Sequence, residues 1–242
     1  MEVRDDNGRG VVRVAIVEVD PIQHLLRPAA GEPEGALVLH HGRGADARDL
    51  YPLLDILDPE RRLVGLCPQG PLALPPGGAH WYVVRQVGSP DPQTFWPTFG
   101  RLTEWFDSIE AEHGVDVGRT LVGGFSQGAV MSYALSITAG RPRPAALLCF
   151  SGFIPKVEEL EIELGERRGL PVAIGHGTQD PIIGVEFGRN AKGVLEQAGC
   201  DVLYRESPMA HSIDPSFLKT LVPWVGSIVD GFSASDAGQA AR

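Results

Sequence analysis

A serine hydroxyl becomes a nucleophile only when a base takes its proton, and Thr120-Leu121-Val122-Gly123-Gly124-Phe125-Ser126-Gln127-Gly128 holds a serine where that can happen. The apolar run reads as a strand, the glycine-flanked centre as a tight turn, and Ala129-Val130-Met131-Ser132-Tyr133-Ala134-Leu135 as a helix, so Ser126 sits at a strand-to-helix apex. Gly124 and Gly128 fit this reading because side chains next to the apex would collide with the adjoining strand and helix. A carboxylate and a base follow downstream in the chain order Ser, Asp, His. Asp180 ends the segment Pro171-Val172-Ala173-Ile174-Gly175-His176-Gly177-Thr178-Gln179-Asp180, a buried strand entering a loop. His211 lies in the loop after the last strand candidate, just before a helix start at Asp214-Pro215. Taken singly, Asp180 also fits a simple Asp-Pro turn and His211 a surface loop; the order and the strand-end placement together select Ser126, Asp180 and His211 as a catalytic triad. His80, His113 and His176 do not follow the last strand and are read as structural.

Acyl transfer through a serine also needs two backbone N–H donors for the oxyanion. Gln127, directly after the serine, supplies one by position. The other is expected from Arg43, in the loop Gly42-Arg43-Gly44 that follows the apolar run Gly35-Ala36-Leu37-Val38-Leu39-His40-His41. Two readings of the Arg43 side chain stay open, a solvated loop cation and a contact to an anionic group of the substrate, with Arg85 a second candidate cation. Asp46 is expected to cap a helix over Ala47–Leu57.

His41-Gly42-Arg43-Gly44, Gly124-Phe125-Ser126-Gln127-Gly128, His176-Gly177-Thr178-Gln179-Asp180 and Met209-Ala210-His211-Ser212 together resemble the phospholipase/carboxylesterase family of α/β-hydrolases, which includes the acyl-protein thioesterases. The likeness spans about residues 33–228 and extends to His80-Trp81-Tyr82. It implies an α/β-hydrolase fold, a mostly parallel central sheet with helices on both faces, and the triad roles of Ser126, Asp180 and His211. Two positions depart from the thioesterase pattern, Ala45-Asp46 after the oxyanion-loop glycine and Ala210 before the last histidine. Both lie outside the triad and speak against a lipidated-protein substrate.

With 242 residues the chain suffices for one α/β domain burying about 70–75% of its unfolded surface. Its 21 basic and 31 acidic residues give a net charge of −10 without a basic block, which excludes nucleic acid and anionic membrane surfaces as expected partners. Cys67, Cys149 and Cys200 are odd in number and set in apolar contexts, the pattern of buried reduced thiols; no metal or cofactor is expected. No signal peptide or membrane-spanning run is visible, so the expectation is a cytoplasmic protein without stable membrane insertion, acting alone or as a homodimer.

Apolar runs alternate with helical patterns, as in a parallel sheet covered on both faces. Strands are expected at Val11–Val19, Ala36–His40, Leu63–Cys67, Thr120–Phe125, Ala145–Phe150, Val172–His176 and Val202–Arg205. Helices are expected at Ala47–Leu57, Phe95–His113, Gln127–Thr138, Val185–Ala198 and Pro215–Val229, in one domain over residues 11–230 with polar, frayed ends at 1–10 and 231–242. The Pro/Gly-rich stretch 70–82 is expected to line an acyl pocket with Leu72, Leu74, Trp81 and Tyr82, or to pack beneath its own loop; Phe153 begins the other wall, 153–164, too short for a large lid. The resulting expectation is a serine hydrolase cleaving esters of small or medium acyl groups through an acyl-enzyme. Thioester or lysophospholipid cleavage by the same triad is the first alternative, and a non-catalytic binding protein on a hydrolase scaffold the second.

Overall fold

The computed structural model describes residues 21–240. In chain order the elements are β1 (His24–Arg27), β2 (Gly35–His40), α1 (Tyr51–Leu57), β3 (Leu63–Pro68), β4 (Leu72–Ala73), β5 (Ala79–His80), β6 (Val84–Gln86), β7 (Ser89–Pro90), α2 (Pro92–His113), β8 (Thr120–Phe125), α3 (Gln127–Ile137), β9 (Ala146–Phe150), β10 (Pro171–Gly177), α4 (Val185–Gln197), β11 (Asp201–Ser207) and α5 (Pro215–Ala240). Seven of the strands form one sheet in the order β1-β3-β2-β8-β9-β10-β11, antiparallel only at β1.

Period-two alternation splits the buried strand residues between two cores. Ala36, Val38, Val122, Leu147, Cys149, Val172 and Ile174 face one, which also holds Phe95, Trp105, Met131 and Leu195 from α2, α3 and α4. Leu37, Leu39, Leu121, Leu148, Phe150 and Ala173 face the other, against Leu54, Leu57, Phe217 and Leu221 of α1 and α5. Continuous apolar strands are the mark of a parallel sheet covered on both faces. Every residue of α3 is buried, so the helix that begins at Gln127 is fixed on all sides.

The element order follows the sequence reading for the main sheet and its helices, while the short ladders β4–β5 and β6–β7 and several boundaries differ from it. The expected strand Val11–Val19 and the N-terminal end 1–10 lie outside the described residues, while the short antiparallel β1 escapes the sequence pattern because four residues carry too little periodicity. The first helix starts at Tyr51 instead of Ala47: Asp46 Oδ1 accepts the Arg48 N–H at 2.8 Å in a local turn, and Pro52 occupies the helix's first turn. The second helix begins a turn earlier, at Pro92, and ends as expected at Gly114 with φ 69°. At the other end α5 runs past Val229 to Ala240 where a frayed tail is expected from 231 onward, and Phe232 packs into the second core.

Cys67, Cys149 and Cys200 are free and buried. No helix among the described residues is long and apolar enough to cross a membrane.

Candidate active site

Ser126 occupies the turn between β8 and α3 with φ 55° and ψ −119°, a conformation that side chains rarely adopt. Its N–H donates to Phe150 O at 2.9 Å, pinning the turn to the neighbouring strand β9. The helix then packs directly under β2: a Cβ at Gly128 would run into the His40 carbonyl, which is why that position carries no side chain. Ser126 is only 6% exposed, and Gln127, the first residue of α3, presents a backbone N–H that no carbonyl of its own helix can accept.

Asp180 and His211 come from the loops after the neighbouring strands β10 and β11. The loops are tied together where Thr178 N–H donates to Ser207 O at 2.8 Å and Gln179 N–H to Met209 O at 3.0 Å. This brings His211 Nδ1 to 2.6 Å from Asp180 Oδ2 and His211 Nε2 to 2.9 Å from Ser126 Oγ. An ionised carboxylate only accepts, so Nδ1 carries the proton and Nε2 is left to accept from the serine hydroxyl. The other carboxylate oxygen, Asp180 Oδ1, accepts N–H bonds from Ile182 and Ile183, both at 2.9 Å. Burial alone would raise the Asp180 pKa, but the bonds from His211, Ile183 and Ile182 outweigh it and hold the carboxyl below its ordinary value. The Phe125 ring packs on the His211 imidazole at 4.7 Å between centroids and limits its rotation.

The loop after β2 is braced from behind. Gly44 N–H donates to Ala79 O at 2.7 Å and Ala79 N–H to Ala45 O at 2.8 Å, while Trp81 Nε1–H donates to His41 O at 2.8 Å. His41 Nε2 accepts the Gly70 N–H at 2.9 Å, so its proton is on Nδ1, which donates to Gly42 O at 2.7 Å. The Gln127 side chain closes the brace, accepting from Trp81 N–H at 3.0 Å and donating to Tyr82 O at 2.7 Å. The stretch 70–82 therefore divides. Leu72 pairs with His80 across the β4–β5 ladder, Leu74 N–H closes that turn onto Gly78 O, and Trp81 is fully buried; none of the three is among the residues lining the cleft at Ser126, which matches the expected alternative of packing beneath the loop rather than the acyl-pocket reading. Their contacts stiffen the loop, and only Tyr82 reaches the cavity wall. Of the two candidate cations, Arg85 is bound to Asp91 at 2.8 Å and lies away from the cavity, whereas Arg43 lines it.

The cavity is an open cleft of about 530 Å³. Ser126, Gln127, His211 and Arg43 form its polar side; Tyr82 and Phe153 stand on its walls, as the sequence suggests. Val84, Gln86, Val87, Ile182 and Ile183 complete the lining and were missed. A signal exists for some of them: Val83-Val84 and Ile182-Ile183 are apolar pairs in loop segments, and Val83, Val84 and Ile182 remain among the large apolar side chains exposed to solvent. A smaller cavity of about 260 Å³ adjoins it, sharing Gln86, Val87 and Phe153.

Sheet order, the serine at its strand–helix turn and the Ser–His–Asp chain define a protein of the α/β-hydrolase class. Within that class the chain belongs to the phospholipase/carboxylesterase family, whose model matches residues 26–226. It is 25% identical over 224 residues to acyl-protein thioesterase 1 of Candida albicans, covering 84% of this chain and 96% of that protein. The putative hydrolase MhqD of Bacillus subtilis is 28% identical over 169 residues, covering 70% and 81%. Among solved structures, the Bacillus cereus carboxylesterase superposes with a TM-score of 0.74 at 22% identity, covering 86% of this chain and 94% of that one, and esterase PE8 with 0.71 at 23%, covering 86% and 100%. The protein is a hydrolase of the esterase and thioesterase kind.

Proposed function

We propose that the protein is a carboxylesterase working through an acyl-enzyme on Ser126. The observation that carries this is the continuous chain from Asp180 Oδ2 through His211 to Ser126 Oγ, at 2.6 and 2.9 Å, opening on a largely apolar cavity. Ser126 Oγ attacks the ester carbonyl carbon as its proton passes to His211 Nε2, and Asp180 stabilises the imidazolium so formed. The carbonyl oxygen, now an oxyanion, is met by the Arg43 and Gln127 backbone N–H groups, stiffened by the Trp81 and Gln127 side-chain bonds. Collapse of the tetrahedral adduct expels the alkoxide, which takes the proton from His211 and leaves Ser126 acylated. Water then gives a proton to His211 Nε2 as it attacks the acyl carbonyl; the second adduct breaks its bond to Ser126 Oγ, which takes that proton back from His211, and the acid leaves. A cleft of about 530 Å³ suits small to medium acyl groups.

Thioester cleavage is the second reading, favoured by the likeness to acyl-protein thioesterase 1. Matched oxoesters and thioesters of graded acyl length decide it: higher kcat/KM on oxoesters supports the carboxylesterase, and the reverse order the thioesterase. A fluorophosphonate probe tests both at once. A single adduct on wild type that is absent from Ser126→Ala is expected; an unlabelled wild type or a labelled Ser126→Ala overturns the mechanism.

A further inference from the structure

Arg43 stands apart from the other cations around the cleft. Arg48, on the same loop, is held by Asp46 at 3.3 Å, and Arg85, after the Trp81-Tyr82 segment, by Asp91 at 2.8 Å. Arg43 itself has no carboxylate partner among the described residues. It nevertheless lines the same cleft as Ser126 and His211, and no aspartate or glutamate lines that cleft with it. In a chain of net charge −10, a guanidinium lining the nucleophile's cleft with no carboxylate partner among the described residues is a local exception to a field that repels anions.

Resting on the serine-esterase reading above, we infer that the Arg43 side chain is a carboxylate-binding group, and that the preferred substrates are esters carrying a free carboxylate besides the scissile bond. A planar guanidinium meets a carboxylate through two parallel N–H···O bonds, and the apolar walls at Val84, Val87, Phe153 and Ile182 strengthen the pairing by displacing water once a substrate is seated. The same apolar lining takes the hydrocarbon portion that separates the two functions. Half-esters of dicarboxylic acids and esters of hydroxy acids share this chemistry, the first with the carboxylate on the acyl side and the second on the alcohol side.

The test measures kcat/KM on both kinds of carboxylate ester and on their methyl-capped neutral counterparts, for wild type, Arg43→Ala and Arg43→Lys. The quantity compared is the anionic-to-neutral ratio within each variant, so any change in the oxyanion loop that slows both substrates equally cancels. Wild type should prefer at least one anionic series, Arg43→Ala should lose that preference by about 10-fold or more, and Arg43→Lys should keep part of it, because a point charge survives without the fork geometry. Raising ionic strength should lower the ratio in wild type and leave it unchanged in Arg43→Ala. Which series loses its preference identifies the side of the ester that Arg43 reads. A ratio unaffected by Arg43→Ala, or a wild type that favours the neutral esters in both series, overturns the inference. Absence of turnover on all four ester types would instead sink the serine-esterase reading itself.

Discussion

Trp81 donates its indole N–H to the His41 carbonyl at 2.8 Å, so of its two expected placements, acyl-pocket wall or packing beneath the loop, it takes the second, behind the loop that carries Arg43. Its ring contacts both His40 and His41, at 5.4 and 5.1 Å between centroids, and its backbone N–H is held by the Gln127 side chain. The loop that carries Arg43 and the helix start that carries Gln127 are thereby joined through Trp81, by its indole on one side and its backbone N–H on the other. Transition-state stabilisation at an oxyanion depends on donors that are already in place, which gives this joint a kinetic consequence.

Trp81→Phe keeps most of the ring and removes the bond to His41. Losing one hydrogen bond of about 0.5–1.5 kcal/mol should lower kcat several-fold, up to about 10-fold, with a smaller change in KM. Steady-state kinetics on one neutral ester check this, and an unchanged kcat would show that the brace does not reach the chemistry. Trp81→Ala should additionally destabilise the fold by about 3–5 kcal/mol in urea unfolding.

The backbone strain at Ser126 predicts a stability effect of opposite sign to the activity effect. With φ 55° and ψ −119°, the apex costs a non-glycine residue about 1–3 kcal/mol. Ser126→Gly and Ser126→Ala should both lose about 10⁴–10⁶ of the ester turnover, yet Ser126→Gly should be the more stable of the two. Urea midpoints with the reverse order would remove strain as a property of this turn.

His176, read from the sequence as structural, is buried under the acid loop. It donates from Nε2 to Ile183 O at 2.8 Å and so fixes the segment whose amides hold Asp180. His176→Ala should cut kcat by roughly 10- to 100-fold through misplacement of the carboxylate, and His176→Gln, whose amide can replace Nε2–H, should recover most of it. Equal activity in the two variants would mean that the bond to Ile183 is dispensable.

Burial pushes the His40 pKa down to about 4 from an ordinary value of 6.5, and His41 is lowered for the same reason. As pH falls through 6.5 the unfolded chain takes up these protons while the folded protein does not, so stability must decrease toward pH 4, by about 1.4 kcal/mol per unit from His40 alone. Asp180 contributes in a lower window: its folded pKa is depressed, so its stabilisation is present above the unfolded carboxylate value and is lost as pH falls through the folded one. Urea titrations from pH 7 to 4 should show the decline, and His40→Asn, which can still donate to Gly123 O, should flatten it. A wild type equally stable at pH 7 and pH 4.5 contradicts the assignment of His40 as a buried neutral base.

The amino-acid sequence by itself determined the features written in neighbouring residues. The apolar runs of β2, β3 and β8 to β10, the glycines flanking Ser126 and the order Ser126, Asp180, His211 all come from spacing along the chain, because strand periodicity and turn sterics act over a few residues. Only the tertiary structure decided the rest. Ser126 and His211 are 85 residues apart, and their 2.9 Å contact depends on β8, β9, β10 and β11 standing side by side in register. The same holds for the cleft: Trp81 and Tyr82 are adjacent aromatics with the same apolar signature, yet the Gln127 and His41 bonds turn one under the loop while the other faces the cavity. Ile182 and Ile183 line the cleft with Ser126 in a loop whose two amides are held by Asp180, an outcome of which spacing along the chain shows only the apolar pair.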